Sequence, residues 1–270
     1  MDVVTAADAL DAGVEVENEH FMGWWRYWGE LLRAKDDCGQ SRIYGFESVS
    51  DESRTRAEIP DLGATYGFVT EGEAVVLDDE ARFEVKAGQW FNMAGGCDVV
   101  LRAGSRVVAS QRVDYRGLRA MGGPVERLGR LRYIDGCSDS LLVCPPVKGD
   151  PCFNHLHFPT DISQTEHYHP STRSGTVAEG GGWCETPYGM TPLVPGMAFY
   201  IPAGGLHRFV TTKTTLDVIA YHPDSDWGPT DSDHPMVNRT WVDGRKIDNS
   251  SGVHATAQIE DRWLRATQVW

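Results

Sequence analysis

Three histidines carry the strongest chemical signal in the sequence. His167 and His169 are two residues apart, and His207 follows Gly204-Gly205-Leu206 later in the chain. On a β-strand, alternate side chains point to the same face, so both imidazoles of an HxH pair reach one side of a sheet. A third histidine from a neighbouring strand completes a set of three nitrogens, which suits a divalent metal and leaves coordination positions open. We therefore predict that these three histidines are metal ligands.

Three further residues are candidates for catalysis at this metal: Arg173, His157 and Tyr200. The guanidinium of Arg173, like that of Arg208, suits two-point recognition of a substrate carboxylate. His155 and His157 also have HxH spacing and should share a face. Either they lie outside the metal coordination, or His157 lines the cavity as an acid, a base or an extra ligand. Tyr200 either lines the pocket or packs in the core.

Other polar residues leave the ligand set open. Gln164 and Glu166 flank the HxH pair, and strand alternation turns Glu166 away from the ligand face. The sequence does not decide whether His155, His157, Gln164 or Glu166 contacts the metal. His222 follows an apolar run and precedes a proline. We expect it to be a surface histidine rather than a catalytic one.

The composition and charge exclude several classes of protein. The 270 residues include 41% hydrophobic and 24% charged residues, an ordinary globular balance. The net charge of −14 disfavours binding to nucleic acid or to anionic membrane surfaces. No stretch reaches the roughly 18–20 apolar residues of a membrane span. The acidic N-terminus does not resemble a signal peptide, and the six cysteines form no CxxC pair, so we expect a reduced, cytoplasmic protein.

The elements that must position these residues are predicted to be short β-strands. Runs with partial alternation, such as TYGFVTEG, CDVVLRAG and MAFYIPAGG, are separated by glycine and proline turns. This pattern is typical of a β-sandwich or barrel. The exception is residues 19–35, where Phe21, Trp25, Trp28 and Leu32 recur at helical spacing. We predict a helix there, with an aromatic-rich strand as the alternative.

A repeat divides the chain into two copies of one β unit. At an offset of 108 residues, Glu71-Gly72 and Gly88 match Glu179-Gly180 and Gly196. At an offset of 109, Ala94-Gly95-Gly96 matches Ala203-Gly204-Gly205. Three matches in the same order indicate duplication rather than chance.

With this repeat and the HxH…H set, the sequence resembles the cupin superfamily, specifically its two-barrel members (bicupins). The segments TEHYHPSTRSGTVAEGGG and PGMAFYIPAGGLH fit the superfamily's metal motifs. The resemblance implies an all-β fold of two tandem double-stranded β-helix barrels, or jelly rolls, with the metal inside the second. The glutamate usual in these motifs would fall at Arg173 or Ser174. The resemblance therefore implies a 3-His site, as in the thiol and diketone dioxygenases of the superfamily.

The predicted organisation has four parts. Residues 1–42 form an N-terminal arm or lid, helical or extended, and residues 43–120 form a degenerate, metal-free cupin barrel. Residues 121–252 form the metal-binding barrel with a wrapping loop, and residues 253–270 form a C-terminal tail. Bicupins often exchange N-terminal strands, so the resemblance also implies a homodimer. In the first barrel the positions of the histidines hold Glu58 and Pro60, or Ile59 and Asp61, together with Asp98.

The chemistry of a 3-His site favours an oxidoreductase. Three neutral imidazoles leave a cation its full charge, which in a barrel of low polarity attracts an anionic, chelating ligand. Fe(II) with adjacent open positions would bind substrate and O2 together, whereas Zn(II) would act as a Lewis acid. We therefore expect an Fe(II)-dependent oxygenase or dioxygenase acting on a small anionic substrate, with Zn, Mn, Ni or Cu as alternative metals. The alternatives are a metal-dependent isomerase, lyase or cyclase of a sugar acid or keto acid, and a non-catalytic ligand-binding bicupin.

Overall fold

A computed structural model describes residues 16–49, 55–230, 234, 236 and 240–246. The chain forms two compact units. The first spans residues 1–144 and 151–225 and contains both barrels, and the second spans residues 145–150 and 226–270. Within the described residues, no helix has the length and apolar character needed to cross a membrane.

Short strands dominate because β-branched and aromatic residues alternate along them between closely spaced glycine turns. Twelve strands form the N-terminal segment and the first barrel, in chain order: β1 (Val16–Glu17), β2 (Met22–Trp24), β3 (Trp28–Asp36), β4 (Gly39–Ser48), β5 (Arg56–Ile59), β6 (Gly63–Glu71), β7 (Glu73–Leu77), β8 (Arg82–Lys86), β9 (Trp90–Met93), β10 (Cys97–Leu101), β11 (Ser105–Val113) and β12 (Ala120–Gly122).

The second barrel follows, with one 3₁₀ turn at Ile134–Gly136 between its first two strands. Its strands are β13 (Leu131–Arg132), β14 (Ser138–Val143), β15 (Cys152–Phe158), β16 (Arg173–Gly180), β17 (Gly182–Thr186), β18 (Gly189–Leu193), β19 (Ala198–Ile201), β20 (Arg208–Val210) and β21 (Leu216–His222). The second unit contains a hairpin of β22 (Trp241–Val242) and β23 (Arg245–Lys246).

The two barrels repeat one strand order, which confirms the predicted tandem architecture. The large sheet of the first barrel runs β12-β9-β6-β11-β4-β3, and that of the second contains β2-β19-β16-β21-β15-β14, flanked by β1 and β13. The smaller sheets run β5-β10-β7-β8 and β20-β17-β18. In each barrel one apolar cluster is shared between the large and the small sheet. Each barrel therefore encloses a core of its own.

A third apolar cluster joins the two large sheets. Tyr66 and Phe68 on β6 pack with Phe153 on β15 and Tyr221 on β21. The ring centroids of Tyr66 and Tyr221 are 5.3 Å apart. Residues of β15 and β21 that face this cluster point away from the interior of the second barrel, because side chains alternate along a strand.

The helix predicted over residues 19–35 is wrong, and the aromatic-rich strand is confirmed. β2 pairs with β19 of the second barrel, while β3 pairs with β4 of the first. Phe21 is fully buried and stacks on Phe199 with ring centroids 6.3 Å apart. Aromatic residues suit strands as well as helices, and the sheet edges on both barrels supply the partners that decide between them.

Three observations concern the predicted domain boundaries, the chain ends and the cysteines. The first barrel's large sheet already includes β3 and β4, ahead of the boundary predicted at residue 43. Residues 1–15, most of residues 231–239, and residues 247–270, which include the predicted C-terminal tail, lie outside the described residues. All six cysteines are free.

Candidate metal centre

Three imidazoles converge in the second barrel. The candidate ligand nitrogens of His167, His169 and His207 all lie within 4.8 Å of one another. The ring centroids are 4.6 Å apart for His167 and His207, and 5.0 Å apart for His167 and His169. Two nitrogens bound to one ion at about 2.0–2.1 Å lie at most about 4.2 Å apart. Small side-chain adjustments would therefore bring the three nitrogens onto one cation.

The backbone around the histidines fixes this convergence. His167 and His207 face each other as an antiparallel bridge, with N–H···O bonds of 3.0 and 2.9 Å in the two directions. Directly opposed residues in an antiparallel pair present their side chains on the same face. Gly204 donates its N–H to the carbonyl of His169 at 2.8 Å, and its φ of 75° favours glycine. The turn before His207 therefore also holds the HxH segment in place.

Backbone carbonyls define which nitrogen of two rings faces a metal. Nδ1 of His167 lies 2.7 Å from the carbonyl of Thr165, and Nδ1 of His207 lies 2.9 Å from the carbonyl of Gly205. A carbonyl only accepts, so Nδ1 carries the hydrogen in both rings and donates it. The lone pair is then on Nε2, the arrangement usual for metal-binding histidines.

Burial keeps two of the three rings neutral. It lowers the pKa of His169 to about 3, with further lowering from Arg173 and from the other two histidines. Burial also lowers the pKa of His207 to about 4, against a smaller raising effect of the Gly205 carbonyl. Neutral rings keep their lone pairs at neutral pH, which a metal ligand requires. The donor set therefore fits a divalent transition metal.

A small cavity adjoins the histidines. Its volume is about 40 Å³, far below the roughly 300–1,000 Å³ typical of small-molecule sites. The wall is mostly apolar, with polar side chains at a few points. The lining residues besides the three histidines are Tyr133, Leu156, Phe158, Gln164, Arg173, Phe199, Ile201, Phe209, Val218, Ala220 and His222.

Arg173 is the cation of this cavity. Its Nη1 donates to the carbonyl and Oγ of Ser171 at 3.1 and 2.7 Å, and to the carbonyl of Thr172 at 2.8 Å. Its Nε is buried and has no partner among the described residues. Burial lowers the pKa of Arg173, but a guanidinium remains charged at neutral pH. Nη1 also lies 4.0 Å from Oδ1 of Asp224, so the side chain is held at Nη1 while Nε keeps an unmet donor.

Comparisons with known proteins address the fold. No family model matches the sequence, and no curated protein matches it. A Cupin 2 conserved barrel domain protein from Leptotrichia buccalis has a similar structure, with a TM-score of 0.52 and 14% identity over 80% of this chain and 94% of that chain. Protein Ylba from E. coli is similar with a TM-score of 0.54 and 11% identity, covering 84% of this chain and all of that chain (100%). The fold is that of a two-barrel cupin.

Within the cupin fold, two predicted catalytic residues lie away from the cavity. His157 lies between Leu156 and Phe158, both of which line the cavity, so its own side chain points to the opposite face of β15. There Nδ1 of His157 lies 2.9 Å from Oδ1 of Asp217. The interpretation of His157 as a cavity-lining acid, base or ligand is therefore corrected.

Tyr200 is placed outside the cavity by the same alternation. Its neighbours Phe199 and Ile201 line the cavity, while Tyr200 packs in an apolar cluster with Ala34 and Ile43. Burial raises the pKa of Tyr200 to about 12. The core-packing alternative describes Tyr200 correctly, and the pocket-lining alternative is corrected.

The flanking residues divide in a similar way. Gln164 lines the cavity, where its Oε1 accepts the N–H of Phe209 at 3.1 Å. Glu166 is exposed, as strand alternation predicted. Arg208 is bound by Glu185, with N–O distances of 3.0 and 2.8 Å, and does not line the cavity.

His222 is the cavity residue that sequence reasoning missed. It lies at the end of β21 and lines the cavity together with Val218 and Ala220. Burial lowers the pKa of His222 well below its ordinary value, and Arg173 lowers it further. Alternation from Val218 through Ala220 to His222 was present in the sequence. The run LDVIAYH is apolar on both faces, however, so the pattern did not show which face is inward.

Proposed function

We propose that this protein is a metal-dependent oxidoreductase that uses a 3-His Fe(II) centre to oxidise a small anionic organic substrate with O2. The observation that carries the proposal is the convergence of His167, His169 and His207 without a carboxylate in the group. Three neutral donors leave the charge of the ion uncompensated and several coordination positions free.

Each group around the cavity has a part in this proposal. Bound Fe(II) would supply the activation of O2 and a positive centre for the substrate. His167, His169 and His207 hold the ion, and Arg173 binds the anionic group of the substrate through its unmet donor. The apolar wall, which includes Phe158, lowers the local polarity and so strengthens the attraction between opposite charges.

The size of the cavity restricts the substrate. A space of about 40 Å³ is far smaller than a typical small-molecule site of roughly 300–1,000 Å³, so a bulky molecule must displace side chains of the wall. A small carboxylate is therefore favoured over an aromatic or sugar substrate.

The first experiment measures metal and O2 directly. Protein purified without O2 should contain iron, or take up one equivalent of Fe(II) per chain, and should consume O2 when a small carboxylate from a panel is added. The His169→Ala variant should lose both properties, whereas His234→Ala, which removes an exposed histidine of the second unit, should keep them. Stoichiometric zinc with no iron-dependent O2 uptake on any substrate would contradict the proposal.

The role of Arg173 is tested without turnover. Protein loaded with Co(II) should change its visible absorption when acetate, glycolate, pyruvate or oxalate binds. Arg173→Gln should weaken this binding by about 10- to 150-fold, the loss of one charge-assisted contact of about 1.5–3 kcal/mol, and should leave the Co(II) stoichiometry unchanged. Equal affinity in both proteins would exclude Arg173 from substrate binding.

The alternatives predict other outcomes of the same measurements. Turnover of a sugar acid or keto acid without O2 would assign an isomerase, lyase or cyclase. Binding of a ligand without turnover across the panel would assign a non-catalytic cupin. The homodimer, the metal-free role of the first barrel and the cytoplasmic location also stay proposals, and light scattering of the full chain measures the first of them.

A further inference from the structure

A second cavity lies against the outer face of the second barrel's large sheet. Its volume is about 450 Å³, within the range of about 300–1,000 Å³ typical of small-molecule sites. It is formed by β14, β15, the segment after β12 and the start of β9. Its lining residues are Trp90, Gly123, Pro124, Val125, Glu126, Arg130, Leu131, Ser140, Leu141, Leu142 and His155. No residue of this wall lines the cavity beside the three histidines.

His155 lines this second cavity and is buried. Its exposed fraction is 0%, and its Nε2 lies 2.7 Å from Oδ1 of Asp217. The same oxygen lies 2.9 Å from Nδ1 of His157. Nδ1 of His155 is also buried and has no partner among the described residues. A buried polar atom without a partner destabilises the protein, so a ligand group that supplies the missing hydrogen bond gains binding free energy.

The carboxylate of Asp217 decides what Nδ1 of His155 can accept. An ionised carboxylate only accepts hydrogen bonds, so Nε2 of His155 and Nδ1 of His157 both donate to it. In a neutral imidazole one ring nitrogen donates and the other accepts. With a neutral ring, Nδ1 of His155 carries a lone pair, and its missing partner is a hydrogen-bond donor.

The rest of the wall favours an uncharged ligand. Glu126 and Arg130 are the charged residues of the lining, and they pair with each other, with Nε of Arg130 2.8 Å from Oε2 of Glu126. Ser140 is directly opposite His155 in the β14–β15 register and accepts the N–H of Arg130 at 3.0 Å. Trp90 and the leucines supply an apolar surface for a ring.

From these observations we propose that the second cavity is a binding site for an uncharged, largely apolar small molecule with a hydroxyl group that donates to Nδ1 of His155. The apolar part packs between Trp90 and the leucines of β14. The site is independent of the metal centre, because His155 and its partner Asp217 face away from the three histidines.

The experiment uses 2-naphthol as the probe and 2-methoxynaphthalene as its matched control, which has the same rings without the donor. Titration calorimetry on the full chain should show 2-naphthol binding about tenfold more tightly. His155→Phe keeps the ring volume and removes the acceptor, so it should reduce the ratio of the two affinities to about one. Equal affinities in the unmodified protein would overturn the proposal.

Two further variants locate the bound probe even if His155→Phe does not fold. Leu142→Trp fills the cavity without touching the histidine–aspartate group and should abolish binding of both probes. His207→Ala removes a proposed metal ligand and should leave 2-naphthol binding unchanged. Binding that survives Leu142→Trp but is lost in His207→Ala would place the probe beside the metal centre and refute the second site. Neither result depends on whether the metal centre is catalytic.

Discussion

The two barrels differ at one cross-strand pair. In the second barrel, His167 and His207 face each other across an antiparallel bridge. The equivalent pair in the first barrel is Ile59 on β5 with Cys97, the first residue of β10. These two side chains are 1% and 5% exposed and belong to the apolar core of that barrel. The same scaffold position is therefore filled by apolar packing in one copy and by imidazoles in the other.

This comparison also corrects the position assigned to Asp98. The repeat offset of 109 residues placed Asp98 at the position equivalent to His207. In the structure Asp98 instead points outward between the core residues Cys97 and Val99. There it pairs with Arg56 at an N–O distance of 2.6 Å. In the second copy one additional residue, Leu206, separates the Ala-Gly-Gly turn from the inward position. One inserted residue reverses the face of every following side chain. Apolar packing fills the first barrel at this position, whereas three imidazoles converge there in the second.

The largest expected effect comes from removing one imidazole. His207→Ala should lower the affinity for Co(II) or Fe(II) by more than about 100-fold, because loss of even an indirect partner of a metal ligand costs 10–100-fold. The matched substitution Cys97→Ala in the first barrel should leave the metal affinity unchanged. Competition with a chelator measures both. Equal losses in the two variants would mean that the barrels do not differ in metal binding.

The second prediction addresses the apolar pair. Ile59→Ala should reduce the free energy of unfolding by about 2–5 kcal/mol, because it removes buried methylene and methyl groups and leaves a cavity. Leu62→Ala, at a residue that is 37% exposed, should have a much smaller effect. Urea denaturation of the two variants makes the comparison. A small effect at Ile59 would show that the first barrel is not held by this core.

The third prediction concerns the pH dependence of the metal-free protein. The pKa values of His169 and His207 are about 3 and about 4 in the folded chain, below the ordinary 6.5. Between pH 6.5 and about 4 the unfolded chain binds more protons at these two residues, so the free energy of unfolding falls as the pH falls. The slope is at most about 1.4 kcal/mol per pH unit for each histidine.

Denaturation at a series of pH values tests this slope. The double variant His169→Gln/His207→Gln should show a flatter profile in that window, and bound metal should shift the loss of stability to lower pH. A profile identical to that of the unmodified chain would show that these rings are not buried in neutral form.

The smallest effect is expected at the outward carboxylate. Asp98→Asn removes an ion pair with Arg56 on a solvent-exposed surface, where screening makes such pairs weak. The urea midpoint and the metal affinity should both match those of the unmodified chain. A loss of metal binding in this variant would return Asp98 to a role equivalent to that of His207.

The residue types and spacings of the sequence determined the repeat, the short strands and the convergence of His167, His169 and His207. Those features depend on local alternation and on turn residues, which a sequence displays directly. Arg173, a candidate because of its guanidinium and its place in the histidine motif, lines the cavity.

Only the tertiary structure decided the face of each strand and the state of the N-terminal segment. His157, Tyr200 and His222 lie on strands whose apolar residues occupy both faces, because one face meets the barrel interior and the other meets a second layer. On such a strand the sequence does not show which face points into the barrel. Pairing with distant strands decides it. The aromatics of residues 19–35 likewise became strands because the edges of both barrels supplied the hydrogen-bond partners.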